Sequence, residues 1–235
     1  MMLDQDVVAV CPSTVRRVLH AAGLMGNRPS KSKAKCSGFD QPTKPHQRWH
    51  VDVAYLNICG TFYYITTVID GFSRYIVHWE IRPQMTTDDR STIIQRAKEN
   101  HPAARPRLIT DNGFQFASKE FKQFVRISGM SHVRTRPYYP QSNGKIGRYH
   151  RTLNSDYTCQ RTPLSQDDAR QVVTEFVEDY NAERLHAALG YITPLDMLQG
   201  RQGQIHEERD RKIAEARNNR AAARAKLRES RQQAG

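Results

Sequence analysis

Two aspartates of this 235-residue chain stand at positions that suit chemistry better than solvation. Asp52 falls inside the apolar run RWHVDVAYLNI (48–58). Strand alternation there puts His50, Asp52 and Ala54 on one face and Val51 and Val53 on the other. A carboxylate in the middle of such a strand is costly to bury unless it is paired or bound to a cation. Asp111 closes the short run RLIT (107–110) and precedes Asn112-Gly113. The carboxyl end of a strand before a glycine turn is where α/β sheets gather reactive groups, although an aspartate there also serves as a plain turn cap. Two acids meeting across adjacent strands can hold hard divalent cations. A pair of such ions about 4 Å apart activates a nucleophile and stabilises the leaving oxygen in phosphodiester displacement. Sites of this kind generally use a third or fourth carboxylate. The other acids offer none convincingly: Asp70 reads as a hairpin-turn residue, Asp88 and Asp89 as helix N-terminal acids, and Glu175, Glu178 and Asp179 as the polar side of a long helix.

A second anomaly lies in YYPQSNGKIGRYHRTLN (138–154). Turn-forming residues lead into a basic helix, and Gly147 sits about one turn inside it, among Lys145, Arg148, His150 and Arg151. Glycine in a helix interior costs roughly 1 kcal/mol relative to alanine.

The elements that position these residues are legible as periodicities. Three β-rich runs, 48–58, 62–70 and 74–81, are separated by Cys59-Gly60 and by Asp70-Gly71-Phe72-Ser73, which predicts an antiparallel meander. A helix over 86–100, a strand over 107–113, a helix over 118–129, a strand over 131–137, the basic helix around Gly147 and a long amphipathic helix over 165–184 follow. The last carries Val172, Val173, Phe176, Val177 and Tyr180 as its apolar stripe. The order β-β-β-α-β-α-β-α predicts an α/β, RNase H-like core: a mixed five-stranded sheet flanked by helices. Upstream, PSTVRRVLHAAG (12–23) reads as one helix, capped by Ser13 or Thr14, striped by Val15, Val18, Leu19 and Ala22 and ended by Gly23. It is either a partial helix-turn-helix (residues 1–25) or a lone helix on the main domain. A basic linker (26–47) and the core (48–200) come next. Residues 201–235 form a charged basic helix or tail without a heptad seam, carrying five net positive charges. A solvated helix that orders on DNA or on a partner chain is the expectation for it.

A net charge of +12, a pI near 9.8 and a mean hydropathy of −0.73 favour a polyanionic partner and disfavour a membrane protein. The four cysteines, Cys11, Cys36, Cys59 and Cys159, lack the spacing of a zinc site or a disulfide framework and read as thiols of a reducing cytosol. Neither a signal peptide nor an apolar run of membrane-spanning length is expected.

Seven blocks, PSTVRRVLHAAGL, WHVDVAYL, VIDGFSRYIV, LITDNGFQF, YYPQSNGKI, RYHRTL and YNAERLHAALGYITP, occur in the order found in bacterial insertion-sequence transposases of the DDE type, whose catalytic cores are similar to retroviral integrases. The chain resembles that family over residues 12–198. The resemblance implies metal-dependent DNA cleavage and strand transfer with two Mg²⁺ (or Mn²⁺) ions held by two aspartates and a glutamate. Asp52 and Asp111 match the aspartates. The glutamate is expected thirty-five residues after the second aspartate, in a pattern N-G-x-I-E-R-x-H. This chain reads Asn143-Gly144-Lys145-Ile146-Gly147-Arg148-Tyr149-His150, with glycine in its place. Asp156, nine residues on, is about half a helical turn round the axis and is no substitute. The expectation is therefore DNA binding with one metal site weakened and strand transfer impaired. By resemblance Gln141, Asn143, Lys145, Arg148 and Arg151 face DNA, with Arg16 and Arg17 on the upstream helix. Tyr138 and Tyr139 wedge the loop or pack near displaced bases. Tyr180, Asn181, Arg184 and His186 of the closing block read as mainly structural. Element ends, target DNA, further copies of the chain and an upstream helix-turn-helix protein are the implied partners, in a bacterial, nucleoid-associated cytoplasmic setting. Two other readings stand beside this one: a non-enzymatic DNA-binding regulator or inhibitor of transposition, and a metal-dependent ribonuclease on the same kind of fold.

Overall fold

β-Branched and aromatic residues dominate 48–82 and form three strands, β1 (Arg48–Ile58), β2 (Thr61–Asp70) and β3 (Ile76–Arg82). The computed structural model describes residues 3–25, 41–111, 116, 118–134, 144–155 and 161–233. They divide into two units, Gly38–Gln199 and a second made of Met1–Ser37 with Gly200–Gly235.

In the larger unit β1 and β2 pair antiparallel from Trp49↔Asp70 to Ile58↔Thr61, and β2 pairs antiparallel with β3. Cys59 and Gly60, at φ 48° and 85°, make the two-residue turn between β1 and β2, the double positive φ whose twist matches that of the strands. β3 starts at Ile76, two residues later than the sequence suggests, because Asp70 and Ser73 lock a turn ahead of it. Asp70 Oδ2 accepts from the Ser73 amide and hydroxyl, both at 2.7 Å. Its Oδ1 accepts from the His46 amide at 2.8 Å. The turn reading of Asp70 therefore holds, and the same carboxylate also pins the approach to β1.

Helix α2 (Thr87–Asn100) is entered through a capping box between Thr86 and Asp89. It returns the chain to β4 (Arg107–Thr110), which pairs parallel with β1; α3 (Lys119–Ile127) then leads to β5 (Ser131–Arg134), parallel to β4. The sheet order is β3-β2-β1-β4-β5, so β1 is central. The described strands end at Thr110 and Arg134; residues 112–115 and 135–143, to which the expected strands extended, lie outside the described residues. Helices α4 (Gly144–Leu153), α5 (Gln166–Ala182) and α6 (Pro194–Leu198) complete the unit.

Strand alternation assigns the two faces. Trp49, Val51, Val68 and Leu108 pack with Ile93, Ile94 and Ala97 of α2 and Phe121 and Val125 of α3. Leu56, Ile58, Ile65 and Ile69 pack with Ile146, Tyr149 and Leu153 of α4 and Val173, Phe176, Val177 and Tyr180 of α5. Large apolar side chains removed from water in this way contribute about 1.5–3 kcal/mol each. The result is a mixed five-stranded sheet flanked by helices, the RNase H-like fold. Asp52 belongs to the face covered by α4 and α5.

In the second unit α1 (Pro12–Ala21) is a single helix. Its cap differs from the expectation: Cys11 is the N-cap and makes no side-chain cap bond, and Pro12 takes the first helical position, where its missing N–H costs nothing. None of its residues is buried, so the expected stripe of Val15, Val18 and Leu19 is uncovered. The charged C-terminal segment is one long helix, α7 (Gln202–Gln233). It is less solvated than its composition suggests: Arg209 is buried and donates to both oxygens of Asp4 at 2.8 Å, while Lys212 pairs with Asp6. Among the described residues, no helix is long and apolar enough to cross a membrane. Cys11 and Cys59 are free thiols; Cys36 and Cys159 lie outside the described residues.

Candidate active site

The parallel register of β1 and β4 sets the two aspartates side by side. His50 pairs with Ile109, the last pair of that register; Asp52 lies two residues on in β1, and Asp111 follows just past the end of β4, near enough for its charge to act on Asp52. The Asp52 side chain keeps a quarter of its accessible surface. Burial, reinforced by the negative charge of Asp111, pushes its carboxyl up to about 6. Such a shift marks an acid that lacks a compensating positive charge. Asp111 lies exposed just past the end of β4.

Above Asp52 lies α4. His150 points its Nε2 at Asp52 Oδ2, 3.5 Å away. Burial drives the imidazole down to about 4, so at neutral pH it is uncharged and the contact is not an ion pair. Among the described residues, its buried Nε2 has no hydrogen-bond partner. Next to Asp52 in register, Thr67 on β2 donates to the buried Tyr149 hydroxyl of α4 at 3.4 Å. Both contacts fix α4 over the carboxylate. Gly147 is three residues before His150 on α4, hence a neighbour on that face of the helix. It is exposed, and a Cβ built on it meets nothing within 4 Å. A side chain at 147 thus has room.

The remaining sequence-nominated residues are dispersed. Lys145 is turned inward: its Nζ donates to the Gly71 carbonyl at 2.8 Å, and burial together with Arg74 and Arg48 brings it down to about 7. Arg148 and Arg151 are exposed on α4, and Arg16 and Arg17 are exposed on α1. Gln141, Asn143, Tyr138, Tyr139 and Asp156 lie outside the described residues, as does most of the basic linker. Two residues escaped the sequence reading. His150 carried only the signal of lying one turn from Gly147. Arg90 is almost fully buried on α2, with its guanidinium 4.6 Å from the centre of the Phe116 ring and within the field of Asp111. Its spacing from Ile93, Ile94 and Ala97 already placed it on the apolar stripe of that helix.

Two carboxylates that repel one another fit a hard divalent cation, which takes oxygen ligands and relieves the repulsion. Among the described residues no group of three or more His, Cys, Asp or Glu side chains is placed to hold a metal ion.

Comparison with known proteins places the chain by family and fold. Residues 42–140 and 128–194 each match an integrase core domain family, together well over half of the chain. A transposase for insertion sequence element IS904 of Lactococcus lactis is 28% identical over 199 residues, covering 77% of this chain and 78% of that protein. The putative transposase InsK for element IS150 of Escherichia coli is 25% identical over 158 residues, and the chain spans about half, 55%, of its length. Among solved structures, the catalytic core domain of HTLV-2 integrase in complex with magnesium, in its dimeric form, superposes with a TM-score of 0.54 at 17% identity, covering 66% of this chain and 98% of that domain. At that identity the likeness speaks for the fold. The chain belongs to the integrase-core family, among the insertion-sequence transposases of the DDE type.

Proposed function

We propose that the chain is the DNA-processing core of a transposase that cleaves and joins DNA through Asp52 and Asp111, and that Gly147 leaves it able to bind DNA but severely impaired in strand transfer. The supporting observation is that Asp111, just past the end of β4, acts on Asp52 of the neighbouring strand β1, helping to raise it to about 6. Asp52 and Asp111 are the residues that would hold Mg²⁺ or Mn²⁺. The chemistry such bound ions supply is activation of the attacking oxygen and stabilisation of the leaving oxygen. His150 faces Asp52 as a neutral ring and fixes the carboxylate's surroundings without adding charge. Arg148 and Arg151 point to solvent and are suited to backbone phosphates, which set position rather than sequence. Lys145 serves by tethering α4 to the turn at Gly71. Gln141 and Asn143 complete the DNA-facing loop in this reading, and Arg16 and Arg17 supply contacts from α1, the remnant of a helix-turn-helix. The reading includes further copies of the chain on DNA and a bacterial, nucleoid-associated setting.

Losing a group that stabilises transition-state charge commonly costs several kcal/mol, hence orders of magnitude in rate. The test is a strand-transfer assay with Mg²⁺ or Mn²⁺ comparing this chain with Gly147→Glu, for which the open space at 147 leaves room. The expected result is a gain of at least about a hundredfold in the revertant. Vigorous strand transfer by the unaltered chain, unchanged in the revertant, defeats the proposal. The missing acid also favours a second reading, a DNA-binding regulator of transposition. It predicts tight DNA binding in EDTA and no activity recovered by Gly147→Glu.

A further inference from the structure

At the end of β4, on the side of the sheet covered by α2 and α3, stands a short hydrogen-bonded chain that the Asp52–Asp111 reading does not use. Leu108 packs on that side, and strand alternation puts Thr110 there with it. Leu108 pairs in register with His132 of β5, so His132 and Thr110 are diagonal neighbours on two adjoining strands. Thr110 is fully buried. Its hydroxyl donates to the Asp111 carbonyl at 3.0 Å and lies 2.9 Å from His132 Nε2. A hydroxyl has one proton. Given to Asp111, it leaves Oγ1 to accept, so His132 donates through Nε2–H and its tautomer is set.

The place matters because both ladders that hold β4 stop there. The register with β1 ends at Ile109 and the register with β5 at Thr110. Asp111 is the next residue, and the Thr110 side chain reaches past the last ladder pair to its carbonyl. The link from β5 through Thr110 thus extends the hold of the sheet by one residue, onto a carboxylate-bearing residue of the candidate site. His132 is held in its turn. Its ring centre is 5.3 Å from that of Phe121, the planes crossing at 80°, and 6.4 Å from that of Phe116. Both phenylalanines are buried. Burial, with Arg134 and Lys122 nearby, keeps the imidazole below its ordinary range, in keeping with a neutral ring that has a single N–H to give. Packed groups that never touch a cation orient in this way the ligands that do.

We propose that His132 is a positioning residue for the candidate site: through the Thr110 hydroxyl it fixes the backbone at Asp111, and with it the direction in which that carboxylate is presented to a divalent cation shared with Asp52. It rests on the reading of Asp52 and Asp111 as the pair that holds such an ion.

The test is a titration of the full-length chain with Mn²⁺, read from the free-ion signal in electron paramagnetic resonance. Thr110→Val removes the hydroxyl at nearly constant shape, and His132→Leu removes the donor. Thr110→Ser keeps the hydroxyl, and His132→Gln puts an amide N–H where Nε2–H stands. Groups that orient metal ligands commonly carry about 10–100-fold in affinity. Thr110→Val and His132→Leu are therefore expected to weaken Mn²⁺ binding at least about tenfold, with Thr110→Ser and His132→Gln within about threefold of the unaltered chain. The two damaging changes combined are expected to cost no more than Thr110→Val alone, because both act through one hydroxyl. Should the damaging variants fail to fold by circular dichroism, the unaltered chain decides. Long-range proton–nitrogen correlation of the His132 ring is expected to show the Nε2–H tautomer, with resonances that move on adding Mg²⁺. The other tautomer, or a ring indifferent to the ion, overturns the proposal. Unchanged affinity in Thr110→Val and His132→Leu, or an equal loss in all four single variants, overturns the positioning role while the carboxylate pair stands. Absence of Mn²⁺ binding by the unaltered chain, or binding that survives Asp52→Asn, overturns the positioning role and the metal-pair reading together.

Discussion

Position 147 shows how one residue sets the charge balance of the whole site. Glycine there weakens α4 by about 1 kcal/mol relative to alanine and, in the proposed reading, leaves Asp52 and Asp111 without a third acid. Restoring a carboxylate improves helix propensity but adds repulsion toward Asp52 and Asp111, which only a cation offsets. Thermal melts of Gly147→Glu should therefore rise more on adding Mg²⁺ than melts of the unaltered chain; an identical response in both would show that the new carboxylate does not face the pair. Asp52 gives a prediction of its own in metal-free buffer. Its carboxyl is raised from 3.8 to about 6, so the folded state binds the proton more tightly than the unfolded state. Stability is unpenalised below about pH 4 and is lost as pH rises through 6. Asp52→Asn should stabilise the protein at pH 7 by on the order of 2 kcal/mol and change little at pH 4, read from urea unfolding in EDTA. A variant no more stable than the parent at pH 7 would contradict the burial and repulsion at this carboxylate. The types and spacing of Asp52, Asp111 and Gly147 were visible in the chain. That His150 faces Asp52 uncharged was not, since its state depends on how deeply α4 buries it.

Among the elements, the end of the long helix α5 is tied to the start of strand β3 by the Asn181 amide, while Gln166 and Arg170 near its beginning donate to the Ile81 carbonyl at the other end of that strand. Asn181 satisfies both polar groups of Ile76, and a buried backbone group left unpaired costs about 1–3 kcal/mol. Asn181→Leu, close in volume but unable to pair, should lose about 2–4 kcal/mol in chemical denaturation. A loss below 1 kcal/mol would mean that water replaces the amide. The approach to β1 is held by a different device. His46 accepts from the Trp49 indole at 3.1 Å and stacks on His101, ring centres 4.3 Å apart. Burial depresses both imidazoles below their ordinary range. A depressed histidine contributes stability above the unfolded value near 6.5, and that stability is lost as pH falls through the folded value. His101→Phe should accordingly reduce the difference in unfolding free energy between pH 7 and pH 5, with an undiminished difference counting against the pair. Element types and order follow from periodicity, and strand pairing through short turns made the meander legible. The starts of α1 and β3 were not, because each depends on how the backbone is satisfied locally, at Pro12 and in the Asp70–Ser73 turn.

For the molecule as a whole, the larger unit draws both sides of its core from residues 49–192. Removal of residues 201–235 should leave the melting temperature of the core transition unchanged within a degree or so, while lowering the net charge from +12 to +7 and weakening duplex binding most at low salt. Loss of the core transition on truncation would show that α7 is part of that fold. The acids Asp4 and Asp6, which hold Arg209 and Lys212 of α7, gave no sign of that role in the sequence, since ion pairs between segments about 200 residues apart have no local signature.

The sequence alone determined the order of strands and helices, and it nominated Asp52, Asp111 and position 147 and a strongly basic surface, because residue type, alternation and charge are local properties that survive without coordinates. Only the tertiary structure decided that Lys145 points inward and that His150 faces Asp52 as a neutral ring. Burial and electrostatic neighbourhood arise when distant segments pack, and they set what a titratable side chain can do.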